Sequence, residues 1–220
     1  MTAQPDSAYL TLLRPGQDEY IVQKSRFICD AIPCDTEEEA LRFLQDRRAR
    51  YRDATHHCYA YIIGRNAGII RFSDDGEPSG TAGLPMMEVL RKKQVVNCCV
   101  VITRYFGGIL LGAGGLVRAY AHSCAVALEA AGVGMMHRTV RGMMSVPYPV
   151  WDKVQYQLNL LPVRIVDTAF GADVEVTLAV RLADQIQVET AMTESTNSQA
   201  EIIWIGEDYE LWPLREEKKP

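Results

Sequence analysis

The sequence concentrates residue types capable of chemistry in two glycine-rich segments, residues 74–83 and 104–118. Eight of the 16 glycines of the chain lie between residues 74 and 118. Glycine destabilises a folded backbone unless a positive φ or the close approach of another group requires it. The two segments therefore predict loops shaped to receive a ligand, and a pair of purely structural turns is the alternative.

The first segment carries carboxylates that could serve acid–base or metal chemistry. Asp74, Asp75 and Glu77 offer oxygen ligands suited to Mg²⁺ or Ca²⁺, although they lack the spacing of an EF-hand. His56 and His57 precede them, and adjacent strand residues point to opposite faces, so at most one histidine can face a given site. The catalytic candidates are His57 as base with Asp75 and Glu77. The loop residues predicted to shape the site are Asp74, Asp75, Gly76, Glu77, Ser79, Gly80 and Thr81.

The second segment has the layout of an anion site, in which a strand leads through a glycine turn into a helix. Unpaired N–H groups and the helix dipole at such an N-terminus favour phosphate. Val117 occupies the place of the last glycine in a dinucleotide motif, and no lysine with a following hydroxyl residue completes a P-loop. The predicted phosphate-binding residues are Arg104, Gly107, Gly108, Gly112, Gly114, Gly115 and Arg118.

A structural interpretation accounts for the same two segments. The glycines could let a helix pack closely on its strand, and the arginines could pair with acids of the first loop. Arg104 beside Asp74 or Asp75 would then fasten the two loops together. The residues leave both interpretations open.

A basic run at residues 47–52 is a further candidate contact with phosphate. Arg47, Arg48, Arg50 and Arg52 surround Tyr51, which could stack on a base. A solvated helix end, stabilised by the helix dipole, is the alternative.

Composition predicts a cytoplasmic protein with a sizeable core. The chain has 220 residues, 48% of them hydrophobic, and a net charge of −5. Up to Arg138 there are 16 basic and 15 acidic residues, against 7 and 13 afterwards, so a nucleic-acid surface is expected in the first part. The apolar run Val95–Thr103 is too short to span a membrane. Six cysteines without CxxC spacing indicate reduced, mostly buried thiols.

The elements of the first part are predicted from pattern. Thr36 and Glu39 form a capping box that opens a helix, and Glu19–Ile32 has the character of a strand. The remaining predictions are a hairpin over 56–64 and 68–72, a helix opened by Pro85, a central strand over 95–103 and a long helix over 116–131.

The second part alternates in a recognisable order. Strands at 139–146, 163–168, 174–180 and 201–205 alternate with helices opened by Pro149 and Asp184. The order βαββαβ is the ferredoxin-like arrangement. We expect an α+β protein with domains at 1–136 and 137–220.

Four stretches together resemble the IMPACT family, in its bacterial two-domain branch. They are Lys24–Phe27, Ala54–Cys58, Asp74–Gly83 and Arg104–Tyr120. The resemblance implies a first domain like the second domain of a small-subunit ribosomal protein, with a four-stranded sheet backed by helices. It implies a second domain similar to the last domain of elongation factor G. No catalytic residues come with it.

The resemblance also implies a role in translation. Eukaryotic relatives regulate the amino-acid-starvation kinase with an additional N-terminal domain that is not expected here, so that particular role is not carried over. We expect a protein that binds RNA or a ribosome-associated partner in the groove between the two glycine loops, with no membrane contact. No cofactor is expected. One alternative is an enzyme that acts on a small phosphorylated or nucleotide substrate and could use Mg²⁺. The other is a protein-interaction regulator using an exposed Met86/Met87 helix or the acidic second domain. The sequence does not indicate an oligomeric state.

Overall fold

The computed structural model describes residues 8–212. The described chain divides into two compact units, Tyr9–Met135 and Met136–Leu211, and each is treated by itself.

The N-terminal unit is built on a five-stranded antiparallel sheet with the order β2-β3-β6-β4-β5. The strands of this unit are β1 (Tyr9–Leu12), β2 (Gly16–Val22), β3 (Ser25–Pro33), β4 (His56–Ile63), β5 (Ile69–Ser73) and β6 (Cys98–Tyr105). Its helices are α1 (Glu37–Arg50), α2 (Gly83–Lys93) and α3 (Gly112–Ala131).

Central strand β6 is apolar on both sides because helices cover both faces of the sheet. Cys99 and Val101 belong to one core cluster with Phe43 of α1. Val100 and Ile102 belong to another, together with residues of α2 and α3. This period-two division explains why the sequence shows a nearly continuous apolar run at this strand. The loop that leads into α3 begins at the end of β6.

The predicted capping box begins α1 as expected. The Thr36 hydroxyl accepts a hydrogen bond from the Glu39 backbone N–H at 3.2 Å, while the Glu39 carboxylate accepts from the Asp35 N–H at 2.8 Å. The first bond satisfies a donor that the first turn leaves unpaired, and the second reaches the residue before the cap rather than Thr36 itself.

Two predictions on the N-terminal unit are wrong. The single strand predicted over 19–32 is the hairpin β2–β3, so the sheet has five strands where four were expected. Its turn residues Gln23 and Lys24 have φ of 45° and 62°, values for which glycine or asparagine is the usual sequence signal. Met86 and Met87, predicted to be exposed on a docking helix, are fully buried because α2 packs between α3 and the sheet.

The second unit has the strand order β10-β7-β9-β8. Its elements are β7 (Val133–Val146), α4 (Tyr148–Leu160), β8 (Val163–Phe170), β9 (Val174–Arg181), α5 (Gln185–Thr196) and β10 (Ile203–Trp212). Numbered within the unit, this order is 4-1-3-2 for a βαββαβ sequence of elements, the ferredoxin-like topology. Val154 and Leu158 of α4 and Val188 and Met192 of α5 pack on the inner sheet face. The predicted α+β class is confirmed.

All six cysteines are buried, unpaired and located in the N-terminal unit. Burial raises the pKa of Cys29 and Cys34 to about 12 and raises that of the other four as well, so the neutral thiol dominates at pH 7. Within the described range, no helix combines the length and the apolar character that crossing a bilayer requires.

Candidate functional site

An open pocket of about 380 Å³ lies in the N-terminal unit, between the loop that follows β5 and the loop that joins β6 to α3. Its lining residues are Thr55, His56, Gly76, Glu77, Pro78, Arg104, Phe106, Leu110, Leu111, Gly112, Ala113 and Leu116. The two glycine-rich segments predicted from the sequence therefore face each other across one cavity.

Asp74 caps the N-terminus of α2 from within the preceding loop. Its carboxylate accepts hydrogen bonds from the backbone N–H groups of Gly80 at 2.8 Å, Ala82 at 3.0 Å and Gly83 at 2.8 Å. Ala82 precedes the helix and has no side chain that could do this. Both oxygens of Asp74 are consumed in folding the first loop into the start of α2.

Asp75 joins the first loop to α1 and β4. One carboxylate oxygen accepts from Arg48 and the other from the His57 backbone N–H, both at 2.7 Å. Its backbone carbonyl accepts from His56 Nδ1 at 2.8 Å. These bonds hold Asp75 at a φ of 43°, an unusual conformation for a non-glycine residue.

Glu77 and Arg104 form a buried ion pair beneath the pocket. Arg104 donates from Nη1 to Glu77 Oε1 at 2.7 Å, and the Tyr120 hydroxyl donates to the same oxygen at 2.7 Å. Arg104 also donates from Nη2 to Ser25 Oγ at 3.3 Å. The predicted pairing of Arg104 with the first loop thus involves Glu77, while Asp74 and Asp75 have other partners. Burial and the neighbouring Glu77 carboxylate raise the pKa of Tyr120, which stays a neutral donor.

The two histidines have different surroundings. His57, named as the candidate base, does not line the pocket, and its Nε2 lies 3.0 Å from the Tyr51 carbonyl oxygen. Burial lowers the pKa of His57, so the neutral ring donates to that carbonyl. His56 does line the pocket. Its Nδ1 proton is directed to Asp75, and its Nε2 lies 3.8 Å from Glu77 Oε2.

The loop from β6 to α3 is anchored at Gly107. A Cβ at this position would lie 2.0 Å from the Lys24 carbonyl carbon, and the Gly107 N–H donates to Ser25 Oγ at 3.2 Å. This anchor leaves apolar side chains exposed on either side, with Phe106 at 45% and Leu110 at 84% exposure. The sequence reasoning missed both. The available signal was the presence of large apolar residues inside a turn-forming glycine segment.

The N-terminus of α3 contributes to the pocket wall through Gly112 and Ala113. Leu111 precedes the helix and makes no capping hydrogen bond through its side chain. Of the other predicted phosphate ligands, Gly107, Gly108, Gly114, Gly115 and Arg118 do not line the pocket. Arg118 is exposed and lies outside the pocket whereas Arg104 is buried, so the two arginines predicted to bind phosphate do not meet in the pocket.

The three loop carboxylates are committed to internal donors, and within residues 8–212 no three His, Cys, Asp or Glu side chains are grouped to hold a metal ion. Three arginines of the basic run also have local contacts: Arg47 with Asp30, Arg48 with Asp75 and Arg50 over the Tyr51 ring. The basic run therefore presents less available charge than its sequence indicates.

Comparison with known proteins identifies the family of the chain. A family model described as the Impact N-terminal domain matches residues 23–128, and one described as a domain of unknown function, DUF1949, matches residues 144–199. The IMPACT family member YvyE of Bacillus subtilis (strain 168) is 40% identical over 197 residues, which cover 89% of this chain and 90% of that protein. The chain belongs to the IMPACT family.

Other IMPACT relatives show the same similarity over shorter spans. YigZ of Escherichia coli (strain K12) is 48% identical over 101 residues, covering 45% of this chain and 50% of that protein. The Protein IMPACT homolog of Dictyostelium discoideum is 43% identical over 72 residues, covering 32% of this chain and 19% of that protein. A crystal structure of a hypothetical protein aligns with a TM-score of 0.57 and 30% identity, over 91% of this chain and 98% of that one.

Proposed function

We propose that this IMPACT protein is a translation-related binding protein that contacts RNA, or a partner associated with the ribosome, through its N-terminal unit. The observation that carries the proposal is that the carboxylates of one loop are occupied while the facing loop exposes apolar side chains. Asp74, Asp75 and Glu77 are all bound internally, whereas the facing loop exposes Phe106 and Leu110 at the rim. Such an arrangement favours recognition over acid–base chemistry.

The family supports the translation part of the proposal. The resemblance to eukaryotic IMPACT proteins implies regulation of translation, and relatives of that name match this chain over part of the N-terminal unit. Because the matched segment covers only 19% of each of those proteins, their complete activities are not transferred.

Surface chemistry supports RNA as the partner. The part of the chain up to Arg138 is close to neutral, with 16 basic and 15 acidic residues, so a polyanion meets less repulsion there than on the acidic remainder. An exposed aromatic ring beside a helix N-terminus offers a stacking surface and N–H donors in the same place, the combination that single-stranded nucleic acids use.

The rival function, an enzyme acting on a small phosphorylated or nucleotide substrate, has one favourable observation. His56 lines the pocket with Nε2 close to Glu77, and it would replace His57 as the general base. A His56→Gln variant separates the functions, because an enzyme would lose turnover whereas a binding protein would retain most of its affinity.

The decisive experiment is co-sedimentation of the full chain with ribosomes and RNA from host lysate across a salt series, with and without nuclease. Phe106→Ala should weaken association roughly fivefold or more, since stacking of one base on an aromatic ring contributes about 1–3 kcal/mol. Phe72→Ala is the matched control, because Phe72 has 44% exposure, close to the 45% of Phe106, but does not line the pocket.

A second variant tests the electrostatic part. Exposed Arg118→Ala should flatten the dependence of log K on log salt by about 0.7 for each phosphate that the arginine no longer neutralises.

Equal weakening in the Phe106 and Phe72 variants would contradict the assignment to the pocket. Association that survives nuclease would indicate a protein partner, and no association at any salt concentration would contradict the proposed function.

A further inference from the structure

The N-terminus of α3 forms one wall of the pocket and is uncapped. Leu111 makes no side-chain capping bond, and the first turn contains no acidic residue. The first four N–H groups of a helix have no intrahelical acceptor, and the helix dipole adds partial positive charge there. Gly112 and Ala113 therefore bring N–H donors and a positive field to the pocket.

Arg104 is an independent sign of a missing acceptor. It is 5% exposed and lines the pocket, and its Nη1 and Nη2 donate to Glu77 and Ser25. Its Nε is buried and has no hydrogen-bond partner. A buried donor without an acceptor is unfavourable, and an acceptor oxygen of a ligand that reaches Nε after a small shift of the surrounding side chains would remove that penalty.

The remaining wall is aromatic and aliphatic. Phe106 is half-exposed, with the Arg104 guanidinium 5.5 Å from its ring centroid. Leu110, Leu111 and Leu116 extend the apolar surface. A complementary ligand has an anionic group at one end and a flat, weakly polar body at the other.

We propose that the pocket holds one unpaired nucleotide, with its phosphate at the α3 N-terminus and its base against Phe106. The inference rests on the proposed function and specifies the RNA as single-stranded, because a base within a duplex has both faces covered. The volume of about 380 Å³ is near the lower end of ligand pockets, which span roughly 300–1,000 Å³, and fits one nucleotide rather than a helix. A peptide with a C-terminal carboxylate and an apolar last residue would match the charge, but the Phe106 ring with Arg104 over it favours a planar base.

The test is titration calorimetry of the full chain with adenosine monophosphate, adenosine, inorganic phosphate and the peptide Gly-Gly-Leu. Adenosine monophosphate should bind most tightly, with adenosine at least roughly tenfold weaker because it makes no contact at the helix N-terminus. Phe106→Ala should reduce the affinity for the nucleotide by roughly fivefold or more.

Ala113→Glu and Ala113→Gln form the matched pair of variants. Both add a side chain of the same size at an exposed position of the first turn, and only the glutamate adds a charge that repels phosphate. An acid in the first turn also stabilises a helix, so the glutamate variant should fold at least as well as the glutamine variant, as checked by thermal melting. The glutamate variant should bind the nucleotide at least roughly tenfold more weakly than the glutamine variant, which adds the same bulk without the charge.

Each contrary result has a distinct meaning. Equal affinity for adenosine and its monophosphate, or equal behaviour of the two Ala113 variants, would overturn the phosphate subsite. Tighter binding of Gly-Gly-Leu would overturn the nucleotide in favour of a protein terminus. If no probe binds at millimolar concentration while the wild type still co-sediments with RNA in a salt-sensitive manner, the nucleotide inference is wrong and the proposed function stands. If co-sedimentation is absent too, both are wrong.

Discussion

At the scale of the residue, the Glu77 carboxylate holds the buried side chains at the base of the pocket together. Its Oε1 accepts from both Arg104 and Tyr120, and all three side chains are buried. In a medium of low dielectric constant an ion pair is strong, but either partner left alone is a desolvated charge. The carboxylate is thus important because it neutralises Arg104, and through that residue it connects the first glycine loop to strand β6.

Replacing Glu77 with glutamine should destabilise the protein by about 3–5 kcal/mol, since the Arg104 cation would remain buried without a counter-charge. Glu19→Gln is the control. It breaks the Arg26–Glu19 pair, whose side chains are 53% and 34% exposed, and should cost less than about 1 kcal/mol. Urea unfolding gives both values. Similar destabilisation of the two variants would show that the Arg104–Glu77 pair is solvated rather than buried.

Sequence reasoning at this scale predicted the type of contact better than the partners. An arginine of the second segment does pair with an acid of the first, but three carboxylates within four positions looked equivalent. What distinguishes them is the backbone: Asp74 receives three N–H groups from the start of α2, and the positive φ of Asp75 turns its carboxylate toward Arg48 and His57. These differences depend on loop conformation, which pattern and composition do not encode.

At the scale of the element, the loop from β6 to α3 uses its glycines for different purposes. Gly107 allows the loop backbone to contact the β2–β3 turn, where there is no room for a Cβ beside Lys24. Gly114 lies in the first turn of α3, where an added Cβ would meet only Arg118 Nη1 at an ordinary distance of 3.6 Å. One glycine is required by close approach, and the other is compatible with a side chain.

Gly107→Ala and Gly114→Ala should therefore have opposite effects on stability. The first should destabilise by about 2 kcal/mol or more, because the loop or the hairpin must move. The second should be neutral or stabilise by up to about 1 kcal/mol, because alanine is the better helix former. Differential scanning calorimetry measures both. A lower melting temperature for both variants would mean that Gly114 has a constraint beyond its steric surroundings.

Elements with a strong periodic signal were predictable. The Thr36 cap and the end of the long helix at Gly132 appear where local pattern placed them, whereas β6 is Cys98–Tyr105 instead of 95–103 and α3 begins at Gly112 instead of 116. The β2–β3 hairpin was not, since Gln23 and Lys24 adopt positive φ without the residues that usually announce it. The buried Met86 and Met87 were misassigned for a related reason, because coverage of α2 by α3 is a long-range contact.

At the scale of the whole molecule, the sequence predicts the sheet of the second unit better than the sheet of the first. The βαββαβ order of the second unit follows from alternation along the chain, and the topology 4-1-3-2 completes it. The sheet of the first unit brings β3 against β6, pairing residues 26–33 with 98–105, and no local signal specifies that partner. The two segments form one pocket because β4 pairs with both β5 and β6 and so brings the loops that follow those strands together.

Because of where the cysteines lie, their reactivity reports on the conformational opening of one unit. All six thiols lie in the N-terminal unit, fully shielded and protonated at pH 7, so an alkylating reagent can react only when that unit opens. We expect slow labelling of the native chain, followed by mass spectrometry, with acceleration in the Glu77→Gln variant. The second unit contributes no signal, so its unfolding would be invisible to the reagent. Comparing labelling with circular dichroism would then time the opening of one half of the molecule independently of the other.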